Sequence, residues 1–273
     1  MQRGQRRDDP AAQVGQQPLK REDAEQDPVQ PGRLQRLPAQ RSQHPHQGRQ
    51  AVQGGTQVHV GDEIRRVGEN AESGQEDLAE HADVSQREQV IAAVSAIVEK
   101  FGKIDVLINN AGDWRGITAE MPLEQAELVW DHEVDTNLKG SFLMALAVLP
   151  HLARPGGRII NISSDGALTG GGGLRTIGYV SAKAGLLGLT RALAREYSPQ
   201  GITVNTIAPG FIAGTGGTGR LPEEIVKGIA AQLPVARPGH VKDVATAALF
   251  LASPDAGFIT GELLNVNGGR QFG

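Results

Sequence analysis

The sequence predicts an α/β domain built on a parallel sheet covered on both faces. Two observations carry this. Short runs that are apolar on both sides, Ile104–Asn109, Arg158–Ser163, Thr203–Ala208 and Leu263–Val266, alternate with amphipathic stretches long enough for helices. Such runs suit strands buried on both faces, and the stretches between them suit the crossovers a parallel sheet requires. Each run also gives way to Asn, Ser, Gly or Pro, as a strand does where it enters a loop.

Taken in order, the first helix spans about 85–101. Ser85 and Glu88 have capping-box spacing, Ile91, Val94, Val98 and Phe101 recur every three or four residues, and Gly102 stops the pattern. The strand Ile104–Asn109 follows. Leu123–Leu152 has helical periodicity in two pieces. After Arg158–Ser163 comes a second long helix, Tyr179–Glu196, and then the strand Thr203–Ala208, closed by Pro209-Gly210. Val241–Ala252 reads as a helix, and Leu263–Val266 as a last strand before Asn267-Gly268-Gly269.

The first 80 residues are of another kind. Residues 1–60 hold 14 Gln, 6 Pro and 9 Lys/Arg, with no Ile, Phe, Trp or Tyr, and the first aromatic residue is Phe101. Such a segment buries too little to offset the entropy of ordering it. It is expected to be disordered or weakly structured, with 61–80 an acidic, partly helical transition. The expected division is therefore 1–80, low-complexity or out of frame, and 81–273, the folded domain.

The 273 residues contain no cysteine, which excludes disulfides, Cys-ligated metals and a thiol nucleophile. A net charge of −4 argues against bulk attraction to nucleic acid or anionic membrane. With no long apolar span and no apolar leader segment, the expectation is a cytoplasmic protein with no nucleic-acid or membrane partner. His132, His151 and His240 lack metal-ligand spacing, so no metal site is expected.

Ligands of parallel sheets bind beyond the carboxyl ends of the strands. There the sequence places Asn109-Asn110-Ala111-Gly112, Ser163-Ser164-Asp165-Gly166 and Pro209-Gly210-Phe211-Ile212, with Tyr179 and Lys183 opening the helix after the second of these strands. Residues four apart share a helix face, so the Lys183 ammonium can favour the Tyr179 phenolate and bring the phenol toward neutral working range. Ser164 can hydrogen-bond the same substrate oxygen. Each piece alone is ordinary turn or surface chemistry; the set, in this order and at one sheet edge, is not.

These residues resemble the single-domain branch of the short-chain dehydrogenase/reductase family, over about Asp83 to Phe272. The tail Leu249–Ser253 with Ile259-Thr260-Gly261 is most similar to 3-oxoacyl-[acyl-carrier-protein] reductases. The resemblance implies a Rossmann-type doubly wound sheet and hydride transfer between NAD or NADP and an alcohol/carbonyl pair, in a homo-oligomer (dimer or tetramer) that takes a small-molecule substrate. It implies Tyr179 as general acid/base, Lys183 beside it and on the nicotinamide ribose, Ser164 orienting the substrate, and Asn137 holding a relay water. For the cofactor it implies Asp83 and Val84 at the adenine, Asn110, Ala111 and Gly112 at the ribose and phosphates, Pro209, Gly210 and Ile212 at the nicotinamide, and Thr215 at the phosphates. Substrate specificity would lie in Gly214–Leu233, and the glycine run Gly170–Gly173 would form a loop at the substrate mouth.

One family feature is missing or replaced. The opening strand and Gly-rich TGxxxGIG turn, which hold pyrophosphate through backbone N–H groups and the helix dipole, have no match in residues 1–80; Gln53-Gly54-Gly55-Thr56 is the nearest sequence. Without those strands, an edge is expected beside Ile104–Asn109. An out-of-frame reading upstream of Asp83 and a genuine low-complexity extension both fit. Two functions follow: an NAD(P)-dependent oxidoreductase, or an inactive scaffold that pairs subunits through Ala182, Leu186, Leu189 and Leu193.

Overall fold

The computed structural model describes residues 57–60 and 78–272, Leu174 and Gly217 excepted, and these lie within one unit, Val52–Gly273. The expectations for residues 1–56 and 61–77, Gln53–Thr56 included, lie outside the described residues. Two short strands, β1 (Gln57–Val60) and β2 (Leu78–His81), pair antiparallel. They fall where the sequence is read as disordered or weakly structured (57–60) and as part of a partly helical transition (78–80), the latter being strand and not helix.

Among the described residues the main sheet has four parallel strands in the order β3 (Val106–Asn109), β4 (Arg158–Ile162), β5 (Thr203–Pro209) and β6 (Leu263–Val266). Its register pairs Val106 with Arg158, Arg158 with Thr203 and Thr206 with Leu263. Among the described residues β3 is an edge strand, as expected. The domain is thus α/β and Rossmann-like, its order advancing one way from β3.

Helix α1 (Arg87–Phe101) begins two residues later than predicted. Ser85 forms no capping box with Glu88, because its N–H and hydroxyl both donate to Asp83 Oδ1, at 2.9 and 2.8 Å. Gln89 accepts from the Asp83 N–H instead, at 2.8 Å. The predicted two-piece helix is α2 (Leu123–Val134) and α3 (Gly140–Val148), joined by a π-helical turn, Asp135–Lys139. After β4 come the single turn α4 (Gly166–Thr169) and the long α5 (Ile177–Tyr197). Between β5 and β6 lie α6 (Glu223–Ala230) and α7 (Val241–Ala252).

Alternation sorts the strand residues by face. Leu107, Ile159 and Val204 point to one side, where they pack with Val90 and Val94 of α1, Met144, Ala145 and Val148 of α3, and Leu193 and Ala194 of α5. Ile160 and Ile207 point to the other, against Ala248 and Leu251 of α7. The crossovers β3–β4 and β4–β5 therefore share a face, while β5–β6 uses the opposite one although the strand order keeps advancing. Under the strong right-handed preference of such crossovers the first two are right-handed, which makes the third left-handed.

The proposed pairing face on α5 is corrected here. Ala182, Leu186 and Leu193 are buried, and Leu189 packs against the same core, so these residues seat the helix on the sheet. No helix among the described residues is long and apolar enough to cross a membrane.

Candidate active site

The carboxyl ends of β3, β4 and β5 meet the first two turns of α5. Tyr179, half-buried, and Lys183, buried, stand one helical turn apart, with the Lys183 Nζ 5.7 Å from the centre of the Tyr179 ring. The ammonium donates to the carbonyl of Ile162, the last residue of β4, at 2.8 Å. Burial draws its pKa down to about 8. Ser164, two residues beyond β4, lies beside the Tyr179 hydroxyl, and its Oγ accepts the Gly166 N–H at 3.1 Å.

The phenol itself moves upward, against the expectation from Lys183 proximity. Burial is the largest cause; the Ser164 hydroxyl opposes it, and the carboxyl groups of Asp165 and Glu133 add to it. The physical reason is burial of the phenol first, with the Lys183 ammonium committed to a backbone carbonyl and the negative charges of Asp165 and Glu133 adding to the shift.

Asn137 sits inside the π-turn and is fully buried, not the solvent-facing poor helix former it would be on an ordinary helix. Its Nδ2 donates to the carbonyls of Asp113 at 2.7 Å and Glu133 at 2.8 Å. Its Oδ1 is buried with no partner. A Cβ on Gly112 would lie 2.8 Å from that oxygen and 3.2 Å from Lys183 Nζ, so only glycine lets the strand-end loop come this close to both. Asn137, Ser164, Tyr179 and Lys183, chosen from sequence as the catalytic set, are therefore gathered around one point, with Gly112 against two of them.

A family model described as Enoyl-(Acyl carrier protein) reductase, of the short-chain dehydrogenase/reductase type, matches residues 49–271. The chain belongs to the short-chain dehydrogenase/reductase family. It is 40% identical over 200 residues to the 3-oxoacyl-[acyl-carrier-protein] reductase FabG of Staphylococcus aureus, covering 73% of this chain and 79% of that one. The FabG of Vibrio cholerae is 40% identical over 191 residues, 70% and 76% of the two chains. The (2S)-[(R)-hydroxy(phenyl)methyl]succinyl-CoA dehydrogenase subunit BbsD of Thauera aromatica is 42% identical over 207 residues, 76% and 81%. As a member of this family, the chain is an oxidoreductase acting on CH–OH or carbonyl groups.

The remaining family positions are distributed as follows. Asn110 is exposed beyond β3, with Ala111 and Gly112 next to it. Val84 is buried against Gly140 of α3, and the Asp83 carboxylate is occupied by Ser85. The Pro209 carbonyl accepts from the Asp165 N–H at 2.9 Å, and Gly210 is pressed so closely on Asn267 that a Cβ would lie 2.7 Å from its Cα. The Ile212 carbonyl already accepts from the hydroxyls of Thr215 (3.2 Å) and Thr218 (2.5 Å). Thr215 is thus drawn back onto its own loop. A cavity of about 240 Å³ behind this loop is lined by Phe211, Ile212, Leu233 and Val235, and none of Asn137, Ser164, Tyr179 and Lys183 borders it.

Sequence reasoning missed three features. Asn109 is buried, donating to Asn161 Oδ1 at 2.8 Å; Asn161 donates to Thr190 at 2.8 Å, and the Thr190 and Thr206 hydroxyls hydrogen-bond each other at 2.6 Å. This polar chain ties β3, β4 and β5 to α5 just below the site; three of its members stand on inward strand positions where apolar residues are usual, which is the signal that could have found it. Arg270, from the chain's tail, pairs with Asp165 at 3.1 Å and lies against Gly172 of the glycine run. Burial raises the Asp165 carboxyl, and Arg270 partly offsets the shift. The third is Glu133, whose partners are backbone amides and so leave no trace in side-chain spacing.

Proposed function

We propose that this chain reduces the ketone of a 3-oxoacyl-type substrate to a secondary alcohol, and runs the reverse reaction, with NAD(H) or NADP(H). The observation that carries the reading is the convergence of the Ser164 hydroxyl, the Tyr179 phenol and the Lys183 ammonium at the carboxyl end of β4. A nicotinamide supplies the hydride when bound. Tyr179 gives its proton to the carbonyl oxygen, and Ser164 donates a hydrogen bond to that oxygen and aligns it. Lys183, below its pKa of about 8, offsets the phenolate left behind.

The residues present fit a dinucleotide at this end of the site: the unpartnered Asn137 Oδ1, the Lys183 ammonium with a single acceptor, and the glycine approach at 112 all meet there. Asn110, Ala111 and Gly112, with Asp83 and Val84 beyond, would line its adenosine half, Pro209, Gly210 and Ile212 its nicotinamide half, and Thr215 its phosphates. We further infer a catalytic domain over 81–273, a homo-oligomer as the resemblance implies, and a cytoplasmic location. The inactive-scaffold alternative draws no support from the relatives.

Purified protein should oxidise NADPH or NADH with an acetoacetyl thioester. Tyr179→Phe should lower kcat by about 10²–10⁴, the range of general acid–base catalysis, without changing the far-ultraviolet circular dichroism. Equal rates in the variant and the parent would remove Tyr179 from the chemistry.

A further inference from the structure

Glu133 closes α2 and takes no part in the steps above. It is completely buried. Its Oε1 accepts the N–H groups of Arg115 at 2.7 Å and Gly116 at 2.8 Å, in the loop that leaves the carboxyl end of β3. Its Oε2 is buried and accepts nothing. That oxygen faces the first turn of α5 so closely that a Cβ on Gly178 would lie 2.4 Å from it. Gly178 is the residue before Tyr179. An unpaired buried carboxyl oxygen is among the costliest things a fold can keep, and this one is kept beside the catalytic helix.

The charged groups around it leave the oxygen without a cation. Lys183, on α5, donates to Ile162. Asp165, before α4, pairs with Arg270. On the outer side of the same loop, Asp113 takes His132 at 2.8 Å and Arg115 at 3.2 Å. We propose that Glu133 is a positioning residue for the reaction: Oε1 clamps the amides at 115 and 116, and Oε2, set against Gly178, holds a carboxyl group against the backbone that carries Tyr179 into the site. The catalytic meaning of this placement rests on the reductase reading. The upward displacement of Tyr179, to which Glu133 contributes after burial and Asp165, agrees with it.

The chain has two tyrosines, Tyr179 and Tyr197. In a Tyr197→Phe background the near-ultraviolet phenolate absorbance therefore reports Tyr179 alone, with no cofactor or substrate; difference spectra between Glu133→Gln and the unsubstituted chain give the same reading should that background fail to fold. Glu133→Gln keeps an acceptor oxygen for the two amides and removes the charge. It should lower the Tyr179 midpoint by roughly 0.5–1 pH unit, and alcohol oxidation should begin at a pH lower by the same amount. Glu133→Leu should lower the midpoint as well, and in addition raise KM as the 115–116 loop loses its anchor. A midpoint in Glu133→Gln that is unchanged or higher overturns the proposal. A lowered midpoint in a chain with no reductase activity upholds the placement of Glu133 and sinks the functional reading instead.

Discussion

Lys183 is the residue on which the chemistry and the stability of this fold meet. Its ammonium is buried with one carbonyl as acceptor, and burial brings its pKa from 10.5 to about 8. For a base depressed in the folded state, the unfolded chain holds more protons between about pH 8 and 10.5. Unfolding free energy therefore rises with pH across that window, and the cost of the buried charge is present in full below it. Against Lys183→Met, which has no proton to lose, the native chain should gain up to about 3 kcal/mol between pH 7 and 10.5, the worth of a shift of this size. Urea midpoints of the two proteins at both pH values check this; a constant difference would mean the ammonium is not desolvated. At this scale the spacing of Tyr179 and Lys183 and the small residues at the strand ends were legible, because a helix face and a strand end follow from local sequence. The direction of the Tyr179 shift was not. It depends first on burial, with Asp165 and Glu133 adding to it from other elements.

The elements owe their positions to close contacts that a hydrophobic pattern does not display. Gly140, at the start of α3, lies so near Val84 that a Cβ would stand 2.6 Å from Val84 Cγ2. Gly140→Ala should therefore destabilise the fold by about 1–3 kcal/mol despite the better helix propensity of alanine. Val84→Ala makes room, so the double variant should lose less than the sum of the two single losses, by about 1 kcal/mol or more in a cycle of denaturant unfolding. Strict additivity would mean the two residues do not press on each other. The periodic stretches predicted the helices to within a few residues. The π-turn at 135–139 was visible only as Thr136 and Asn137, poor helix formers inside a helical stretch, and its purpose, to bury Asn137 under the strand ends, needs the tertiary contact with Asp113.

At the scale of the whole molecule the open matter is the dinucleotide. Residues 1–80 hold no TGxxxGIG turn, yet the catalytic end and the glycine approach at 112 are in place. Ligand at 100 times its Kd stabilises a protein by about 2.7 kcal/mol, roughly 5–10 °C for a domain of this size. Millimolar NADP(H) or NAD(H) should raise the melting temperature by that order, and the larger shift names the preferred cofactor. No shift with either would remove the cofactor reading for this chain. The alternation of strands and helices made the parallel sheet legible, but not which face each helix covers, since an apolar stripe on α7 would suit either. The change of side between β5 and β6 is therefore known from the structure alone, and it has a consequence for how the enzyme can vary. The passage to the other side is made by the segment between β5 and α7, cinched at its base by the bridge between Ile212 and Gly239. A segment closed off in this way can be rewritten while the strands on either side keep their register.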